Sequence, residues 1–125
     1  MRTDIKNHIS VAQSIAPAAY TATATGTGVD LAGFDAAAVE ITVGAVANNA
    51  FSVEVQESDA SGSGYTAVAT ADLDGTEPTT LTAATTTLIG YHGIKRYIRA
   101  VATDTAAGDA VFGVSVIRGN GRVKP

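Results

Sequence analysis

Residues 39–56, VEITVGAVANNAFSVEVQ, decide the fold. Val39, Ile41 and Val43 alternate with Glu40 and Thr42, and Phe51, Val53 and Val55 alternate with Ser52, Glu54 and Gln56. A period of two puts one set of side chains on a core face and the other in water, so each run reads as a half-buried β-strand. Between them GAVANNA ends in an Asn48-Asn49 pair, and Asn tolerates the positive φ that a turn requires. SDASGSG (58–64) then reads as a flexible loop and YTAVA (65–69) as another extended run. The expectation is a meander of three antiparallel strands.

The same pattern continues outward. DLDGTEPTT (72–80) is turn chemistry, with Asp-Gly and Pro in close order. TLTAATTTLIGY (80–91), KRYIRAVAT (95–103), VFGVSVI (111–117) and YTATATGTGVDL (20–31) supply the remaining strands, rich in β-branched residues. The predicted class is all-β: one antiparallel β-sandwich or jelly-roll-like domain of about seven or eight strands, with turns roughly every eight to twelve residues. Its predicted span is 19–118. Residues 1–18 read as an extended arm or a short helix capped by Asp4, and 119–125 as a basic, flexible tail.

Composition narrows the function. A 46% hydrophobic and 16% charged chain is not an acidic disordered one. With no cysteine, neither a disulfide scaffold nor a thiolate metal site is available. The N-terminal segment lacks the uninterrupted apolar stretch of an export signal, and no run approaches the ~20 apolar residues of a membrane span. Much of the apolar content is Ala, which buries little area per residue. Stability is therefore expected to draw on neighbouring copies or a larger surface.

Catalytic and ligand constellations are missing. His8 and His92 sit in no recognisable motif, and no Gly-rich phosphate loop joins a strand to a helix, so neither an enzyme nor a cofactor site is expected. Asp72, Asp74 and Glu77 have the composition of a calcium loop but not its ligand spacing. The plainer reading is an Asp-Gly turn. Nucleic-acid binding is disfavoured by the net charge of −4 and by the splitting of Lys95, Arg96 and Arg99 between strand faces.

Charge is segregated along the chain. No Lys or Arg occurs from Asn7 to Ile94, while nine Asp and Glu fall between Asp30 and Glu77. The Lys95–Arg99 cluster is expected to pair with carboxylates on a neighbouring strand, Glu54 and Glu57 being eligible. That leaves Arg2, Lys6, Arg118, Arg122 and Lys124 as basic ends around an acidic body, suited to docking on an acidic surface.

The stretches ESD…YTAV…DLDGTEP (57–78) and GYHGIKRYIR (90–99) carry a resemblance that extends over nearly the whole chain. They resemble a family of small proteins encoded among the head genes of tailed bacteriophages, prophages and gene transfer agents. The resemblance implies a β-rich capsid decoration, or cement, protein, bound outside a shell of major capsid protein and stabilising subunit junctions. It implies synthesis in the bacterial cytoplasm, residence on the capsid exterior, and a homo-oligomer, with a trimer at three-fold positions favoured. It transfers no catalytic residue. The alternatives are a tail, head–tail connector or head-spike component, and, from another class, a carbohydrate-binding adhesion module. The latter is weakened by the absence of Trp and by only four Tyr and three Phe.

Overall fold

The computed structural model describes residues 1–121. The chain forms ten strands: β1 (Ile9–Tyr20), β2 (Ala24–Thr25), β3 (Val29–Asp30), β4 (Phe34–Asn48), β5 (Phe51–Ser58), β6 (Thr66–Ala67), β7 (Leu73–Asp74), β8 (Thr85–Tyr91), β9 (Tyr97–Asp104) and β10 (Asp109–Gly121). One antiparallel sheet runs β1-β10-β4-β8-β7. The other runs β2-β9-β5-β6, with β3 also paired to β9. The two sheets pack as a sandwich, so the expected all-β class is what the chain adopts.

The alternation read from 39–56 fixes the core face but not the partners. Val39, Ile41 and Val43 point inward from the first sheet, and Phe51, Val53 and Val55 point inward from the second. The three-strand meander is therefore not formed, because β4 and β5 lie in opposite sheets. Asn48 and Asn49 do not supply the expected positive φ, which falls on Ala84, Ala107 and Asn120 among non-glycine residues. Asn48 acts through its side chain instead. Its Nδ2 donates to the Ala106 carbonyl at 3.3 Å, and its Oδ1 accepts the Ala50 N–H at 3.2 Å. This ties the β4–β5 crossing to the β9–β10 crossing beside it. Gly108 in that second crossing is pressed against Phe51, where a Cβ would come within 2.6 Å of the ring.

The core is centred on Phe51 and Phe112, whose ring centroids are 5.1 Å apart, with Ile41, Ile89 and Ile98 fully buried around them. Truncating either Phe to Ala in such a site costs about 3–5 kcal/mol. Ala100 and Ala102 alternate with the outward residues of β9 and are fully buried in the core, a site where added side-chain volume is destabilising.

The ends of the chain differ from expectation. Only Lys6–His8 forms a single 3-10 turn, and residues from Ile9 onward join the sheet as β1, paired with β10 from Ile9↔Gly119 to Tyr20↔Ala110. The arm thus stops at residue 8 rather than 18. Ser10, Ala12 and Ser14 are small enough to face the core, and this inward face escapes a hydrophobicity pattern. At the other end β10 runs on through Gly119↔Ala36 to Gly121↔Phe34, so Gly119–Gly121 is strand rather than tail. Arg122 and Lys124 lie outside the described residues.

Candidate binding surfaces

The inward stripe of β10 is Phe112, Val114 and Val116, and the next inward position is Arg118. Its guanidinium closes one end of the sandwich. Nη1 donates to the Asp30 carbonyl on β3 at 3.0 Å, Nη2 donates to Ser10 Oγ on β1 at 2.8 Å, and the group lies 5.0 Å from the centre of the Phe34 ring. Its Nε is buried with no partner among the described residues. Arg118, expected as part of a free docking tail, is therefore a half-buried tie between the two sheets. Its place follows from the same period-two register that buries Val116.

Asp30 is the anion of this end. Arg96 Nε and Nη2 each donate to its carboxylate at 2.9 Å, a two-pronged contact that fits the planar guanidinium. The hydrogen bond from Arg96, reinforced by one from the Ala32 N–H, holds the Asp30 carboxyl down at about 2. The same bond raises Arg96 above the usual guanidinium range. Lys95 Nζ pairs with Asp59 at 2.9 Å, and Arg99 Nε donates to Gln56 at 2.9 Å while its guanidinium sits 4.0 Å over the Tyr65 ring. Two bases of the 95–99 cluster, Lys95 and Arg96, are thus paired with carboxylates inside the domain, with Asp59 and Asp30 rather than Glu54 and Glu57, while Arg99 rests on the Gln56 amide and the Tyr65 ring. Strand β9 begins at Tyr97, so Lys95 and Arg96 escape the strand's alternation and reach Asp59, just after β5, and Asp30, at the end of β3.

Glu57 has another use. Tyr91 Oη donates to its carboxylate at 2.7 Å and accepts the Lys95 N–H at 3.1 Å. Burial, then the bond to Glu57, pushes the Tyr91 phenol well above its usual range. Beside this network lies a cleft of about 480 Å³ between loop 31–37 and loop 91–96, edged by the exposed Ile94. Its two cations, Lys95 and Arg96, are those already paired with Asp59 and Asp30.

The DLDGTEP motif has a structural role. Glu77 Oε2 accepts the Val55 N–H at 2.5 Å and the Pro78 carbonyl accepts the Val53 N–H at 2.9 Å, so the segment seals the side of β5. Among the described residues no three His, Asp or Glu side chains form a metal-holding group. Asp72, Asp74 and Glu77 do not converge. Arg2 and Lys6 are exposed in the short arm, and no ion pair among the described residues involves either.

The two outer faces contrast. On the four-stranded sheet Glu54, Gln56, Tyr97 and Arg99 make a polar surface. On the five-stranded sheet the rows Val11–Ile117–Ala38–Gly90–Asp74 and Gln13–Ser115–Glu40–Leu88 contain two charged side chains, Asp74 at the β7 edge and Glu40. Val11 is 55%, Leu88 59% and Val111 41% exposed, which makes this the apolar side of the molecule. Sequence reading missed it because each strand contributes only one or two apolar outer residues, and the face forms only when β1, β10 and β8 are set in register.

No family model matches this chain, and no curated protein or solved structure is found similar to it.

Proposed function

We propose that this chain is a structural virion protein: a decoration or cement protein that lies on the outside of a bacteriophage head and stabilises junctions of the major capsid protein. The observation that carries the reading is the outer face of the five-stranded sheet, with Val11, Leu88 and Val111 open to solvent and, in its two central rows, charge only at Glu40 and at the β7 edge, Asp74. A flat apolar face of this kind on a rigid sandwich suits a protein that lies against a larger surface. The reading takes the identity of that surface, the capsid exterior, and synthesis in the bacterial cytoplasm from the sequence resemblance to head-gene proteins. The contact is then made by the sheet face, with Arg2 and Lys6 as rim contacts. Arg118 is not available to it, being held by Asp30 and Ser10.

The glycan-binding alternative is less well supported. A sugar platform needs an open aromatic face, and the guanidinium of Arg99 covers Tyr65 while that of Arg96 lies 5.2 Å from the centre of Tyr97.

The test is binding of purified protein to heads lacking it. Val111→Glu and Ser115→Glu place charge in the middle of the apolar face, away from both sheet edges. The expected result is folded protein that no longer saturates heads, and wild-type-coated heads that withstand heating and osmotic shock better than bare ones. Heads equally robust with and without the protein, or full binding by both variants, would overturn the reading.

A further inference from the structure

The five-stranded sheet has two unguarded edges, and they complement one another. On one side, Ile9–Gln13 of β1 pairs inward with Gly119–Ser115 of β10 in unbroken register. At Ser14 the outer side of β1 is covered, since the Thr27 N–H donates to the Ser14 carbonyl at 2.8 Å. Over Ile9–Ala12 no strand among the described residues lies outside it. On the other side, β7 covers only Tyr91 and Gly90 of β8, through Leu73 and Asp74. Among the described residues no strand lies outside Thr85–Leu88, although Gly75, just after β7, stands beside its upper end, where a Cβ would lie 3.3 Å from the Leu88 carbonyl oxygen.

Natural proteins blunt such edges with Lys, Pro, bulges or inward charges. ISVA and TTTL contain none of these, and the β1 bulges begin only after Gln13. Charge differs between the two sides. The arm leading into β1 carries Arg2 and Lys6 against Asp4, whose carboxylate is engaged by Asn7. The strand beside β8 is flanked by Asp72 and Asp74, and no ion pair among the described residues involves either.

We propose that copies of this chain associate head to tail, the β1 edge of one copy pairing antiparallel with the β8 edge of the next. Direction agrees: β1, β10, β4 and β8 alternate, so a second copy's β1 beside β8 continues the antiparallel order. Face and register agree as well. Setting Ile9 opposite Leu88 sets Val11 opposite Thr86, which brings outward-facing residues together, and sets Ser10 and Ala12 opposite Thr87 and Thr85 on the inward side. The chain before Ile9 then lies toward the Gly90–Tyr91 end of β8, which brings the arm with Arg2 and Lys6 toward β7 and its Asp74. The free edge of β8, the apolar pair and the opposite charges are satisfied by one alignment. Because the two edges are different surfaces, the contact is heterologous and closes into a ring or extends as a filament. This association does not depend on what the outer face of the sheet binds.

Sedimentation velocity on the full chain tests it, using Val11→Lys to block the β1 edge and Thr86→Lys to block the β8 edge. Both positions are exposed, and circular dichroism and melting check that each variant is folded. The wild type is expected at a multiple of the monomer mass, and each variant alone as a monomer. An equimolar mixture retains one intact β1 edge and one intact β8 edge, so it is expected to form a species of twice the monomer mass and nothing larger. A monomeric wild type, variants that assemble like wild type, a mixture that stays monomeric, or a dimer of Thr86→Lys alone through β1–β1 pairing would each overturn the proposal. Loss of head binding by Val111→Glu with assembly intact separates this contact from the capsid contact.

Discussion

The hydroxyl of Ser14 on β1 accepts a hydrogen bond at 3.0 Å from the backbone N–H of Ala100 on β9, 86 residues away. The same hydroxyl donates to the Thr27 carbonyl at 3.0 Å. Ser14 therefore joins the two sheets through a buried polar bridge, and Gly26 makes room for it: a Cβ there would lie 2.2 Å from Ser14 Oγ. Ser14→Ala leaves the Ala100 N–H buried without its acceptor, and is expected to cost about 1–3 kcal/mol in urea unfolding. Gly26→Ala forces the bridge apart and should cost at least as much. Unchanged midpoints in both would remove the bridge from the account of stability.

Tyr91→Phe removes the donor to Glu57 and the acceptor for the Lys95 N–H while keeping the ring in the core. A loss of about 1–2 kcal/mol is expected, since two polar groups lose their partner. Tyr91→Phe with Glu57→Leu should lose less than the two single changes added together, which a double-mutant cycle reads directly.

Acid stability depends in part on Asp30. Its folded pKa is lowered from 3.8 to about 2. In that window the unfolded chain binds the proton and the folded one does not. The contribution is therefore complete above about pH 4 and is lost as pH falls through about 2. Because the pair is partly exposed, screening holds the effect to at most about 1 kcal/mol. Asp30→Asn should flatten the fall in stability between pH 4 and 2 in acid titrations of unfolding. An identical slope in the variant would count against the pairing with Arg96.

Glu77→Ala takes the acceptor from the Val55 N–H and opens one side of β5, with an expected cost of about 1–3 kcal/mol. Glu77→Gln keeps an acceptor and should recover most of it. Added calcium is expected to leave the wild-type melting temperature unchanged, and a rise with calcium would restore the cation reading of Asp72, Asp74 and Glu77.

The strands were legible because period-two alternation reports one local quantity, which side of the chain is wet. Val39 to Val43 and Phe51 to Val55 state that plainly, and the sandwich class follows from having many such runs with no helical period. Alternation says nothing about which strand lies alongside. Residues 39–56 look like a hairpin, yet β4 and β5 face each other across the core, β4 pairing with β10 and β8 and β5 with β9 and β6. The site residues divide in the same way. The Lys95–Arg99 cluster was recognisable as charge needing partners. That Asp30 and Asp59 supply them for Arg96 and Lys95 depends on segments meeting across 66 and 36 residues. Arg118 was readable as inward from Val114 and Val116, but only once β10 was known to continue past it. Ser14 left no signal, since a lone serine in a small-residue run looks the same in an arm as in a core bridge. The sequence by itself determined the all-β class and the core face of most strands, through short-range sterics and hydrophobicity. Only the tertiary structure decided the sheet assignments, the ion-pair partners and the open edges, because those are set by long-range packing between segments whose separation along the chain carries no local trace.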